Sequence, residues 1–176
     1  IPFRGEYFQL KNEFKYLVKG LIYPVPNPNF PFLGVHFTKM INGEVEAGPN
    51  AVLALAREGY NWRTIKFDEF TDSITYKGLL NFIRKYPATT ISEISRSLYK
   101  SLFVRSLREL IPDINENMLE KKESGIRAQL MNTKGDLIQD FDIRIKGRLV
   151  SILNAPSPAA TSSIAIAKYI ISFLDV

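Results

Sequence analysis

The segment Asn154-Ala-Pro-Ser-Pro-Ala-Ala-Thr-Ser, followed by Ile164, Ile166, Ile170, Ile171, Phe173 and Leu174, constrains this chain more than any other stretch. Ser157 suits a helix cap and Pro158 a first turn, so the pattern predicts a helix with a defined start. Between Ile164 and Leu174 only Lys168 and Ser172 are clearly polar. A helix that is apolar almost all round is one surrounded by protein. The first N–H groups of such a helix point outside it and favour negative charge. Gly125-Ile-Arg127, expected on a strand, places a cation earlier in the chain, and the two features read together as parts of one site for an anion.

At 176 residues with 45% hydrophobic content, the chain is long enough for one folded domain with a sizeable core. No apolar run reaches the roughly 18 residues of a membrane span. The absence of cysteine excludes a disulfide scaffold and a thiolate metal site and fits a reducing compartment. A single histidine excludes a multi-His metal centre. The net charge of +5 is scattered among interspersed acids. Charge alone therefore gives no case for nucleic-acid binding, and an anionic small molecule, an anionic membrane surface or an ordinary solvated surface explains it equally well. The start, Ile1-Pro-Phe-Arg-Gly-Glu-Tyr, carries no initiator Met or signal-peptide pattern and reads as a strand entered in mid-fold, as in a piece of a longer protein.

Alternation predicts strands near Gly5–Lys11, Leu21–Tyr23 and Leu33–Thr38, with a hairpin turn at Asn42-Gly43. Four prolines within Pro24–Pro31 make a stiff connection. Helical spacing runs over 67–86, with Pro87 as its stop and Gly78 as an interruption, and again over 92–111, ending at Pro112. A short helical turn is expected within 114–122. Strands return over 125–131, 139–145 and 149–153 before the closing helix. The order predicts an α+β fold: a largely antiparallel or mixed sheet, covering helices and a buried C-terminal helix.

No G-x-G-x-x-G, P-loop or G-x-S-x-G occurs, so the chain lacks a nucleotide cradle and a nucleophile elbow of its own. Any cofactor would need a partner domain.

Arg4-Gly-Glu-Tyr, Leu21-Ile-Tyr-Pro-Val-Pro-Asn-Pro, Pro31-Phe-Leu-Gly-Val-His-Phe-Thr, Val45-Glu-Ala-Gly-Pro-Asn-Ala-Val-Leu-Ala, Gly125-Ile-Arg-Ala-Gln and Asn154-Ala-Pro-Ser-Pro-Ala-Ala-Thr-Ser, in that order, resemble the C-terminal part of L-2-hydroxyglutarate dehydrogenases and oxidases. These belong to the D-amino-acid-oxidase-like group of FAD-dependent oxidoreductases. The resemblance is dense up to Tyr60 and after Ser124 and thin between them. It implies a substrate-binding sheet with covering helices over 1–123. Residues 124–176 would then be strands and a helix that complete an FAD site, in one compact unit lacking the N-terminal Rossmann-type FAD domain. Alone, such a piece is expected to be inactive. Its uncovered apolar surface favours self-association.

The same resemblance implies site roles. Arg127 matches an arginine that holds the substrate carboxylate, and a guanidinium fork suits that geometry. Asn154, Ala155, Pro156, Ser157, Ala159, Ala160 and Thr161 match the segment facing the flavin, where a positive helix end stabilises the reduced ring. His36, with Gly34 and Thr38 on one strand face, is the candidate base for the hydroxyl proton of a 2-hydroxy acid, against the alternative of a structural strand histidine. Arg4, Tyr7 and Lys39, with Asn50 as a further donor, are candidates for the second carboxylate of a diacid, and each also reads as structural or exposed. Arg96, Lys100, Arg105 and Arg108 offer a basic helical face to a membrane-linked electron acceptor or simply to solvent. The expected location is cytoplasmic, peripheral to a membrane at most, and mitochondrial in a eukaryote. The rival from another class is a non-catalytic ligand-binding module without flavin, and an amino-acid oxidase is the rival within the family.

Overall fold

The computed structural model describes residues 1–25, 34–155 and 159–174. The chain divides into two units, Ile1–Asp136 and Leu137–Val176. In the first, strands and helices follow as β1 (Pro2–Gly5), β2 (Phe8–Leu10), β3 (Leu21–Ile22), β4 (His36–Lys39), β5 (Val45–Gly48), β6 (Val52–Leu53), α1 (Phe67–Thr75), α2 (Lys77–Lys85), α3 (Pro87–Leu98), α4 (Lys100–Arg108), β7 (Leu119–Lys121) and β8 (Gly125–Ala128). The fold is α+β with antiparallel pairing, as the alternating and helical periods predict.

A five-stranded sheet in the order β3-β4-β5-β2-β7 carries the core. Leu10, Phe37, Val45 and Ala47 project from one face, and Phe103, Val104 and Leu107 of α4 close over it together with Ile114 and Leu119. The Phe8 and Phe103 rings meet at 4.8 Å. Each such side chain removed from water contributes about 1.5–3 kcal/mol, and the tilted ring pair adds about 0.5–1.5 kcal/mol. A three-stranded sheet, β6-β1-β8, brings the first strand against the last of this unit, and Phe3 on β1 meets Phe82 of α2 edge to face.

The middle helices differ from the two long ones predicted. The first breaks at Tyr76, whose backbone is extended, φ −66° and ψ 120°. The cause is close contact: a Cβ on Gly78 would lie 2.3 Å from the Asn132 carbonyl oxygen, and the Tyr76 hydroxyl donates to the Met131 carbonyl at 2.8 Å. Only glycine admits the 131–136 turn so near α2. The helical stretch does end before Pro87, with α2 closing at Lys85 and Tyr86 as its cap, and Pro87 also opens α3, where its missing N–H costs nothing. The second long helix breaks at Tyr99, again extended. The turn expected within 114–122 is a three-residue 3-10 helix at Glu116–Met118 that runs directly into β7, whose pairing with β2 overrides local propensity.

The second unit is a hairpin of β9 (Asp142–Lys146) and β10 (Leu149–Asn154) followed by α5 (Ser163–Ile171). Two expectations are corrected here. The helix begins at Ser163 rather than at Ser157-Pro158, with Ser162 as N-cap and no side-chain capping bond, and residues 159–162 form turns. Nor is it buried: α5 has no buried residue, and Ile164 is 75% exposed. A single hairpin offers too little surface to enclose an apolar helix. Among the described residues no helix is long and apolar enough to cross a membrane.

Since α4 seals the sheet, Phe103→Ala should destabilise the first unit by about 3–5 kcal/mol, read as a lowered urea midpoint. An unchanged midpoint would remove this packing from the basis of the fold.

Candidate active site

Alternation along each strand sends every second side chain of the five-stranded sheet away from α4, onto its open face. There the register builds a row. Leu21 pairs Thr38 and Ile22 pairs Phe37, so Tyr23 comes alongside His36, and the two rings stack at 4.2 Å with 22° between planes. His36 pairs Gly48 on β5. Phe8 pairs Ala47, which puts Tyr7 beside Gly48 on the far side, and the Lys122 N–H donates to the Tyr7 carbonyl at 3.0 Å. The order across the face is therefore Tyr23, His36, Gly48, Tyr7, Lys122.

Gly48 sits where β4 and β2 flank β5, so the side chains on its two sides would ordinarily be roughly 10 Å apart. Its φ of +143° is closed to most side chains, and a Cβ there would stand 2.8 Å from the Glu6 carbonyl oxygen and 3.2 Å from Tyr7 Cδ1. The bare position lets the Tyr7 ring approach the β5 backbone between β2 and β4.

His36 is half-buried, and its Nδ1 lies 3.1 Å from the Gly34 carbonyl oxygen. That carbonyl only accepts, so Nδ1 carries the proton and Nε2 keeps a lone pair. Burial pushes the His36 pKa below its ordinary 6.5, against the opposing effect of the Gly34 hydrogen bond. The imidazole is thus neutral near pH 7 and able to accept a proton. The Tyr7 phenol is pushed up from 10.0, first by burial, then by Glu46, with Arg127 acting in the opposite sense and Tyr23 reinforcing the rise. It stays a hydrogen-bond donor. Arg127 on β8 is exposed, opposite Phe3 of β1, and near enough for its charge to act on Tyr7. Lys122 donates to Glu46 at 2.7 Å and to Glu44 at 3.1 Å, which neutralises the acids next to this row.

The structure thus brings His36, Tyr7 and Arg127 into one region. Lys39 departs from it: at the end of β4, one residue beyond Thr38, it alternates to the other face and is exposed. Arg4 departs further. It is wholly buried, its Nε donates to Glu6 Oε1 at 3.2 Å and its Nη1 to the Gly59 carbonyl at 3.3 Å, and it lies 4.5 Å from the Trp62 ring centre. Its Nη2 is 3.1 Å from the same Glu6 oxygen but makes no well-directed hydrogen bond. Asn50, 4% exposed, donates to Glu6 Oε2 at 3.0 Å and accepts from the Glu6 N–H at 2.8 Å. Arg4 and Asn50 therefore neutralise and fix Glu6 inside the protein and are not presented to a ligand. The sequence alone does not single out Tyr23, Glu46 or Lys122. Only strand register, invisible before the pairing is known, aligns them with His36.

In the second unit Asn154 ends β10, and its side-chain amide donates to the Asp140 carbonyl at 2.7 Å and the Ile138 carbonyl at 3.4 Å. Ala155, Ala160 and Thr161 are exposed and Ala159 is intermediate. Pro156 and Ser157, with Pro158, lie outside the described residues.

No family model matches the chain. Individual proteins do. A protein of Indibacter alkaliphilus named L-2-hydroxyglutarate dehydrogenase is 53% identical over 94% of this chain and 42% of its own length. The Dictyostelium discoideum protein named L-2-hydroxyglutarate dehydrogenase, mitochondrial, is 46% identical over 97% of the chain and 39% of its own. The Escherichia coli K12 protein named L-2-hydroxyglutarate dehydrogenase is 42% identical over 97% and 40%. The chain spans about two-fifths of the length of the curated relatives it matches.

Because Glu6 is the counter-ion of a buried guanidinium, Glu6→Ala should cost about 3–5 kcal/mol of stability, measured by denaturant unfolding. A loss within experimental error would mean that Arg4 is held by the Trp62 face alone.

Proposed function

We propose that this chain, homologous along nearly its whole length to L-2-hydroxyglutarate dehydrogenases, is the substrate-handling part of an FAD-dependent enzyme that oxidises L-2-hydroxyglutarate, or a close 2-hydroxy acid, to the 2-oxo acid. The observation that carries this reading is the row in which a neutral imidazole and a protonated phenol flank Gly48, with an exposed arginine whose charge reaches the phenol. A 2-hydroxy acid needs those three groups: a cation for its carboxylate, a donor for an oxygen, and a base for the hydroxyl proton.

In this reading the Arg127 fork receives the C1 carboxylate and the Tyr7 hydroxyl donates to a substrate oxygen. His36 Nε2 takes the hydroxyl proton as the C2–H bond breaks and the carbonyl forms, and the Gly34 carbonyl stabilises the imidazolium through Nδ1–H. Half-burial limits the water around the imidazole. FAD, when bound, supplies the hydride acceptor. The chain's own donor set fits the acid and offers nothing that accepts a hydride. The nucleotide half would be held by sequence outside this segment. Asn154, Ala155, Ala159, Ala160 and Thr161 would lie along the flavin, their small side chains leaving backbone open to a flat ring.

The test is the whole protein assayed against a panel of 2-hydroxy and 2-amino acids. Turnover of L-2-hydroxyglutarate with amino acids inert is expected, and the reverse would refute the substrate. His36→Asn should lower kcat by about a hundredfold or more. Arg127→Lys should raise KM by roughly tenfold or more, because an ammonium cannot grip both carboxylate oxygens as the guanidinium fork does. The base must be unprotonated and its pKa is depressed, so kcat/KM should hold as pH falls through 6.5 and drop only below it. An acid limb above 6.5 would assign the proton to another group.

A further inference from the structure

We propose that Tyr23 is a positioning residue for the reaction, its ring clamping the His36 imidazole in one plane on the open face of the sheet. The inference deepens the reading of His36 as base and rests on it. Three observations converge. The rings stack at 4.2 Å and 22°, a near-parallel contact that resists rotation about the imidazole χ2. Nδ1 is tied to the Gly34 carbonyl at 3.1 Å on the same strand, so the ring is held at one edge and one face. Gly48, paired with His36 on the neighbouring strand, contributes no side chain of its own against the ring. Of the two contacts that hold the ring, removing Tyr23 would leave the Gly34 hydrogen bond.

Tyr23 is 45% exposed, immediately beyond β3, so its ring is not a core residue and truncation removes little of the packing that holds the unit. Among the described residues, the titratable and charged groups on the open face around His36 are Tyr23 next to β3, Glu46 on β5, Tyr7 before β2, Glu120 on β7 and Lys122 after it, with Arg127 of β8 acting on Tyr7, and Lys122 is held by Glu46 and Glu44. None of them contributes to the depressed His36 pKa, whose lowering comes from burial. The Tyr23 face is part of that cover, so removing it admits water and lets the imidazole rise toward 6.5.

The experiment compares Tyr23→Ala and Tyr23→Phe in the whole protein, with the carbon-13 signal of His36, identified by its loss in His36→Asn, followed through a pH titration. Tyr23→Ala should lower kcat by roughly tenfold with KM changed less than about threefold, and raise both the acid limb of kcat/KM and the His36 titration midpoint. Tyr23→Phe, which keeps the stacked face, should restore both to within about twofold of the parent. An unchanged titration and turnover in Tyr23→Ala would overturn the proposal, as would a Phe variant as impaired as Ala. If the His36 midpoint moves in Tyr23→Ala while His36→Asn turns over normally, the reading of His36 as base has failed, and the stacking still governs the imidazole.

Discussion

The closing of α4 over one face of the five-stranded sheet is the constraint on which the rest depends. Phe103, Val104 and Leu107 occupy that face with Phe37, Ala47 and Leu10, so beneath the helix the strands have only their other face for polar side chains, and Lys39 escapes by sitting at a strand end. Once the core side chains choose their side, His36, Tyr7, Glu46 and Thr38 have no choice about theirs. Packing and most ionisable side chains are therefore divided between two sides of one pleated layer. A one-residue slip in β4 would bury the imidazole and expose Phe37.

The polar interior follows a different logic. Arg4, Glu6 and Asn50 form a closed set beneath Trp62, and Trp62 in turn donates to the Ser97 hydroxyl at 2.9 Å. The set fixes the path from β1 into β2, and that path determines where Tyr7 emerges. Glu93 of α3 serves the neighbouring loop in the same way, accepting from the Ala51 N–H at 2.9 Å. Buried charge in this protein holds backbone in place, while the open face keeps its ionisable groups near the surface.

Much of this is legible in the sequence. Alternation over Gly34–Thr38 places His36 opposite the core side, and Asn42-Gly43 marks the β4–β5 turn. Composition does not separate Arg4 from Arg127, because both sit in strand-like motifs and only the three-dimensional neighbours of Arg4 show that it is enclosed. Helical periodicity runs through Tyr76 and Tyr99, since the breaks there come from distant contacts such as Gly78 against Asn132. Tyr23 stands in plain view within Leu21-Ile-Tyr, yet its partner lies on another strand. The closing helix misleads for a related reason: its apolar composition is plain, but composition does not say what an element packs against.

The pairing of β1 with β8 bears on how the protein is made. Pro2 lies opposite Ala128, and the Gln129 N–H donates to the Ile1 carbonyl at 2.9 Å, so β1 is anchored by residues synthesised more than a hundred positions later. Until Gly125–Ala128 has been synthesised, β1 cannot make this pairing. Contacts of such long sequence separation form slowly, and an idle edge invites pairing with other chains. The sheet that holds the first strand is thus among the last parts of this unit able to close, whatever the order in which the rest collapses.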